Sequence, residues 1–88
     1  MIYTITFDPH KVDADALYSV INSSPYISTW WHYLGSTYLI KSEYSTSTIC
    51  DYIIQKWPKQ RFFIAKIDPY QYSGWLPPKA WEWIRNHR

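Results

Sequence analysis

Tyr3, Ile5 and Phe7 alternate with Thr4 and Thr6, and this period of two predicts a strand from Ile2 to Asp8. Asp8-Pro9 ends it, because proline removes a donor and disfavours helix in the residue before it. Asp13 or Asp15 opens a first helix, where a carboxylate suits the positive end of the dipole. Its inner stripe is Leu17, Val20, Ile21 and Ser24, and Ser23-Ser24-Pro25 closes it. Ser28 to Leu34 and Thr37 to Lys41 read as a hairpin around Gly35-Ser36, with glycine at the first turn position suiting a type II′ turn. Alternation puts Trp31 and Tyr33 on one face of the hairpin and Trp30, His32 and Leu34 on the other.

Ser45-Thr46-Ser47-Thr48 supplies hydroxyl caps for a second helix. Ile49, Cys50, Ile53, Ile54 and Trp57 share one face of it, and Pro58 stops it. Phe62 to Ile67 predicts a fourth strand ended by Asp68-Pro69. Tyr70 to Leu76 reads as a loop with room for a short extra strand. Pro77-Pro78 starts a last helix, docked through Ala80, Trp81, Trp83 and Ile84. Trp57, Trp75, Trp81 and Trp83 are expected to pin that tail and the second helix to the core.

The order is β-α-β-β-α-β plus a C-terminal helix. It predicts an α+β, ferredoxin-like sandwich in a single domain spanning 1–88. Right-handed crossovers are expected to set strands one and three parallel at the centre, with two helices on one face. The other face needs cover from the C-terminal helix, a second subunit or both.

Composition adds an aromatic surplus. Six Trp, nine Tyr and three Phe in 88 residues exceed what a two-layer domain can enclose, since each ring buries roughly 150–250 Å². A homodimer would bury the excess. The formal charge of +2 is too small to argue for nucleic acid on its own. It is unevenly spread: Lys56, Lys59, Arg61, Lys66, Lys79, Arg85 and Arg88 lie late, while Asp8, Asp13 and Asp15 face Lys11 alone early. Cys50 has no cysteine to pair with and is expected to be a buried thiol. No segment resembles a signal peptide and no apolar run approaches the ~20 residues of a membrane span, so a cytoplasmic protein without a membrane partner is expected.

Four stretches together resemble a known family. They are Ile5-Thr6-Phe7-Asp8, the hairpin Trp30-Trp31-His32-Tyr33-Leu34 with Ser36-Thr37, the strand Phe62-Phe63-Ile64, and the tail Gly74-Trp75-Leu76-Pro77 with Trp81-Glu82-Trp83-Ile84. The family comprises small proteins of bacteria and their phages carrying the label "SinR family". It is similar in turn to the small CRISPR adaptation subunit and to VapD toxins. Those are ferredoxin-like homodimers, some of them metal-dependent nucleases with an Asp ending the first strand. Asp8 matches that position, although Phe7-Asp8-Pro9 departs from the relatives' Tyr-Asp-Leu type of ending.

The resemblance makes Asp8 the candidate ligand for Mg²⁺ or Mn²⁺ and the candidate for water activation; no other cofactor is expected. A turn-capping Asp8 is the competing reading. His10 and Glu43 complete the best catalytic constellation, with Arg61 and Lys59 approaching the same rim. Glu43 belongs there because strand three is expected to run parallel to strand one. For binding, Trp30, Tyr33, Tyr38, Tyr70, Tyr72 and Trp75 could stack bases, helped by Lys66, Lys79 or Arg85. His32 is a further binding candidate beside them, and Arg61 another. No Cys/His pair has zinc spacing, and two glycines do not make a phosphate loop.

The expected function is that of a small, homodimeric, non-catalytic binding or accessory protein. Its partner would be nucleic acid, a nucleotide or a host protein, with an anti-defence role in a phage or mobile element implied by the resemblance. The alternatives are a metal-dependent endonuclease or endoribonuclease using Asp8, and a structural assembly subunit.

Overall fold

A computed structural model describes residues 1–88, apart from the side chain of Tyr33. The chain runs β1 (Ile2–Thr6), α1 (Ala14–Ser23), β2 (Thr29–Leu34), β3 (Thr37–Lys41), α2 (Thr46–Lys56), β4 (Phe63–Lys66) and α3 (Pro78–His87). The four strands form one sheet in the order β2-β3-β1-β4, with every neighbouring pair antiparallel. This is an α+β domain.

β1 and β3 pair antiparallel, with Ile5 opposite Tyr38 and Tyr3 opposite Ile40, so the expected parallel centre is wrong. The reason is topological. The β2–β3 hairpin forces those strands to oppose, and the crossover through α1 brings β2 back parallel to β1. β3 lies between the two and opposes both.

The helices start where the caps are. Asp13 accepts from the Ala16 N–H at 3.0 Å and Ser45 accepts from the Thr48 N–H at 3.2 Å. α3 has no side-chain cap but begins with Pro78, whose missing N–H costs nothing there.

Sheet alternation divides the interior into two cores. On one face Tyr3, Ile5, Phe7, Tyr38 and Ile40 meet Leu17 and Ile21 of α1 and Ile49 and Ile53 of α2. Each fully buried aliphatic side chain there contributes about 1.5–3 kcal/mol. On the other face Ile2, Trp31 and Leu39 meet Ala80 and Ile84 of α3. The C-terminal helix therefore does cover the second face. No helix among the described residues is long and apolar enough to cross a membrane.

Several local expectations change. Trp31 faces Leu39 and Leu34 faces Thr37, a register shift of one residue. The extra residue is a β-bulge that turns Leu34 onto the same face as Trp31, away from His32. The only positive φ angles among the described residues are at Lys59 and Gly74, so Gly35 does not form a type II′ turn. On α2 the stripe narrows to Ile49, Ile53 and Trp57; Ile54 is exposed and Cys50 only half-buried. Trp57, Trp81 and Trp83 do pack, but Trp75 is 99% exposed and pins nothing. The loop from Tyr70 to Leu76 holds no strand.

Candidate nucleic-acid interface

Asp8 leaves β1 into a tight turn. Its Oδ1 accepts from the His10 N–H at 3.0 Å, and its carbonyl accepts from the Lys11 N–H at 3.0 Å. The turn after α2 is sewn to the same place. Trp57 Nε1 donates to the Asp13 carbonyl at 3.1 Å, and the Asp13 N–H donates to Gln60 Oε1 at 3.2 Å. Between these ties Lys59 is held at φ 65°, a left-handed conformation that a residue with a Cβ adopts only under constraint. The result is a cleft of about 300 Å³ lined by Asp8, Lys11, Lys59 and Arg61. One carboxylate stands against three cations, so the cleft favours anions.

Glu43 is not there. It follows β3, whose end lies beside the start of β1: the Ser42 N–H donates to the Met1 carbonyl at 3.0 Å. Asp8 and Glu43 thus sit at opposite rims of the sheet, a direct consequence of the antiparallel β1–β3 pairing. Arg61 and Lys59 do reach the Asp8 rim, and His10 is tied to it through its backbone. A single carboxylate among cations does not fit Mg²⁺ or Mn²⁺, which need several oxygen ligands. No group of three or more His, Cys, Asp or Glu among the described residues is placed to hold a metal.

The opposite rim holds the larger cleft, about 430 Å³, lined among others by Lys41, Glu43, Lys66, His87 and Arg88. Asp68 shapes its edge by accepting the Tyr70 N–H at 2.8 Å. The Arg88 guanidinium lies 5.0 Å from the Tyr70 ring centre and donates to the Tyr72 hydroxyl at 3.0 Å. Tyr70 is 74% exposed. Of the expected binding residues, Lys66 lines this cleft, and Tyr70 and Tyr72 are joined to it through Arg88. The organising residue, Arg88, reads in the sequence only as one more late cation.

Trp30, His32 and Tyr38 form a third group, and it is packing rather than an open platform. Tyr38 is buried in the helical-face core. His32 stacks on it with ring centres 3.8 Å apart and planes at 21°, Phe7 stacks at 5.9 Å, and Trp30 meets it edge-on at 5.8 Å. Trp30 is in turn covered edge-on by Tyr18. Burial pushes the Tyr38 hydroxyl pKa up, with a smaller contribution from Tyr18. His32 Nε2 is buried with no hydrogen-bond partner among the described residues. The expectation for Tyr33 falls on a side chain outside the described residues. Lys79 instead lines a shallow groove with Trp83 on the α3 side, and Arg85 is exposed on α3.

The sequence reading overlooked Phe63. It lies on β4, the last strand of the sheet, and is 66% exposed. Its signal was present: from residue 52 to residue 67 the chain has four cations, Lys56, Lys59, Arg61 and Lys66, and no acid.

No family model, curated protein or solved structure matches the chain.

Proposed function

We propose that this chain is a non-catalytic module that binds single-stranded nucleic acid or a nucleotide at the Lys66–Tyr70–Arg88 rim. The observation that carries the reading is an open cleft lined by Lys66 and Arg88, with the Arg88 guanidinium lying against an exposed tyrosine, Tyr70. Phosphate needs the cations and a base needs the ring. The strand order β2-β3-β1-β4 supports reading the scaffold as ferredoxin-like, with α3 occupying the sheet face that related RNA binders leave open. The resemblance to the SinR-labelled family is what suggests an accessory or anti-defence role. Cleavage is not part of the reading, since Asp8 and Glu43 stand at opposite rims.

A second reading, a homodimer or assembly subunit, is favoured by one observation: Trp75, fully solvent-exposed, beside an apolar groove lined by Leu34, Leu76 and Trp81. Its test is sedimentation of the protein and of Trp75→Ala.

The test of the binding reading is fluorescence anisotropy with a labelled single strand across a salt series. Affinity is expected to fall steeply with salt and to drop in Lys66→Ala and Arg88→Ala. Salt-insensitive binding, or none, would overturn it in favour of a protein partner.

A further inference from the structure

We propose that the free edge of β4 is a nucleic-acid track joining the two clefts, with Phe63 as its central stacking platform. This rests on the binding reading above and extends it from one rim to the whole edge. β4 is the outermost strand, and its far side carries no partner among the described residues. One end meets the Asp8 cleft through Lys59 and Arg61, and the other meets the Lys66 cleft with Tyr70 and Arg88. Phe63 stands between them, two-thirds exposed on a strand whose neighbours Phe62 and Ile64 pack inward.

Charge selects the occupant. The segment from 52 to 67 is free of acids, so the strand itself carries no carboxylate to repel phosphate, and cations outnumber acids in the cleft at either end: Lys11, Lys59 and Arg61 against Asp8, and Lys41, Lys66 and Arg88 against Glu43. The same features argue against a peptide strand adding to the sheet. β4 has only four residues, and edge lysines and arginines block strand pairing. A polyanion with flat bases matches both the end charges and the exposed ring. A duplex does not, because its bases are already stacked on each other and offer Phe63 nothing.

Size follows from strand geometry. Arg61 to Lys66 spans at most about 17 Å at ~3.3 Å per residue. A stacked strand rises ~3.4 Å per nucleotide, so about five nucleotides cover the track. A fragment of about three would occupy the Lys66 cleft alone.

The experiment titrates oligothymidylates of about three and about ten nucleotides into the protein, following anisotropy. Arg61→Ala and Phe63→Ala are compared with Lys66→Ala, with circular dichroism as a fold check. All three positions are exposed. Arg61→Ala and Phe63→Ala are expected to weaken the long strand about tenfold and leave the short one unchanged, while Lys66→Ala weakens both. Phe63→Tyr is expected to retain the affinity, because it keeps the stacking ring. Wild-type affinity for the long strand in Arg61→Ala and Phe63→Ala, with Lys66→Ala still defective, would overturn the track and leave the cleft. A protein that binds neither length would overturn both.

Discussion

Asp8 and Asp68 make the same turn at opposite corners of the sheet. Each is followed by proline, and each accepts the N–H two residues on, His10 at 3.0 Å and Tyr70 at 2.8 Å. Each carbonyl also receives the N–H three residues on, from Lys11 and from Gln71. Ser24 and Ser42 repeat the device with hydroxyls toward Tyr26 and Tyr44. A side-chain acceptor thus takes up a backbone N–H just after β1, α1, β3 and β4. A residue used so generally at exits has a structural explanation at Asp8 that requires no metal.

That equivalence gives a sign to two substitutions. Asp8→Ala and Asp68→Ala are each expected to cost about 0.5–1.5 kcal/mol in urea denaturation, the value of one hydrogen bond. Asp8→Asn keeps the turn and its stability. It also removes the one negative charge from a cleft of three cations, so single-strand affinity is expected to rise about two- to fivefold. A loss of affinity would show that the carboxylate itself contacts the ligand.

Trp57 and Trp75 are expected to lie at opposite ends of the stability scale. Trp57 is buried and bonded to the Asp13 carbonyl, so Trp57→Ala should cost about 3–5 kcal/mol. Trp57→Phe keeps much of the packing, loses the bond and should cost about 1–2 kcal/mol. Trp75→Ala should change stability by less than about 0.5 kcal/mol. Denaturant titration of the three variants checks the order, and a strongly destabilised Trp75→Ala would contradict the loop position.

Asp13, Ser45 and Pro78 mark their helix starts locally, so those boundaries were legible in the residues themselves. The 2.0 and 3.6 periods likewise separate Ile5 from Thr6 and Ile49 from Asp51. What failed was relational. The direction of β3 against β1 depends on counting strand reversals through the whole topology, and one error there carried Glu43 to the wrong rim. The bulge that turns Leu34 has no local signature, and Gly35 invites a turn it does not form. All six tryptophans have the same hydropathy, yet only tertiary packing separates Trp57 from Trp75. The acid-free stretch around Arg61 and Phe63 is plain in the chain. That it lines an edge is not, because β4 is outermost only once the sheet order is known.

Lys59 separates backbone strain from charge. Its left-handed φ of 65° suits glycine, so Lys59→Gly is expected to stabilise the fold by about 0.5–1 kcal/mol despite the entropy glycine loses. Lys59→Ala keeps the strain and should leave stability unchanged. Both remove one cation from the Asp8 cleft, so both should lower the salt dependence of single-strand binding by about one unit of slope. Matched stability in the two variants would mean that the turn relaxes without cost.

Tyr38 predicts a loss of stability in alkali. Its ring stacks on His32 and Phe7 in the core, and burial raises the hydroxyl pKa above the ordinary value of 10.0. Below pH 10 the group is protonated in both the folded and unfolded chains and contributes no pH dependence. Above it the unfolded chain releases the proton first, so unfolding gains free energy from each further rise in pH. The stability conferred by the neutral hydroxyl is lost as the pH climbs through the folded pKa, where the folded chain must ionise as well. Tyr38→Phe removes that ionisation while keeping the ring against His32. Denaturant midpoints measured on either side of pH 10 should therefore fall less steeply in Tyr38→Phe than in the parent. Parallel slopes would place the alkaline sensitivity on the other tyrosines and lysines.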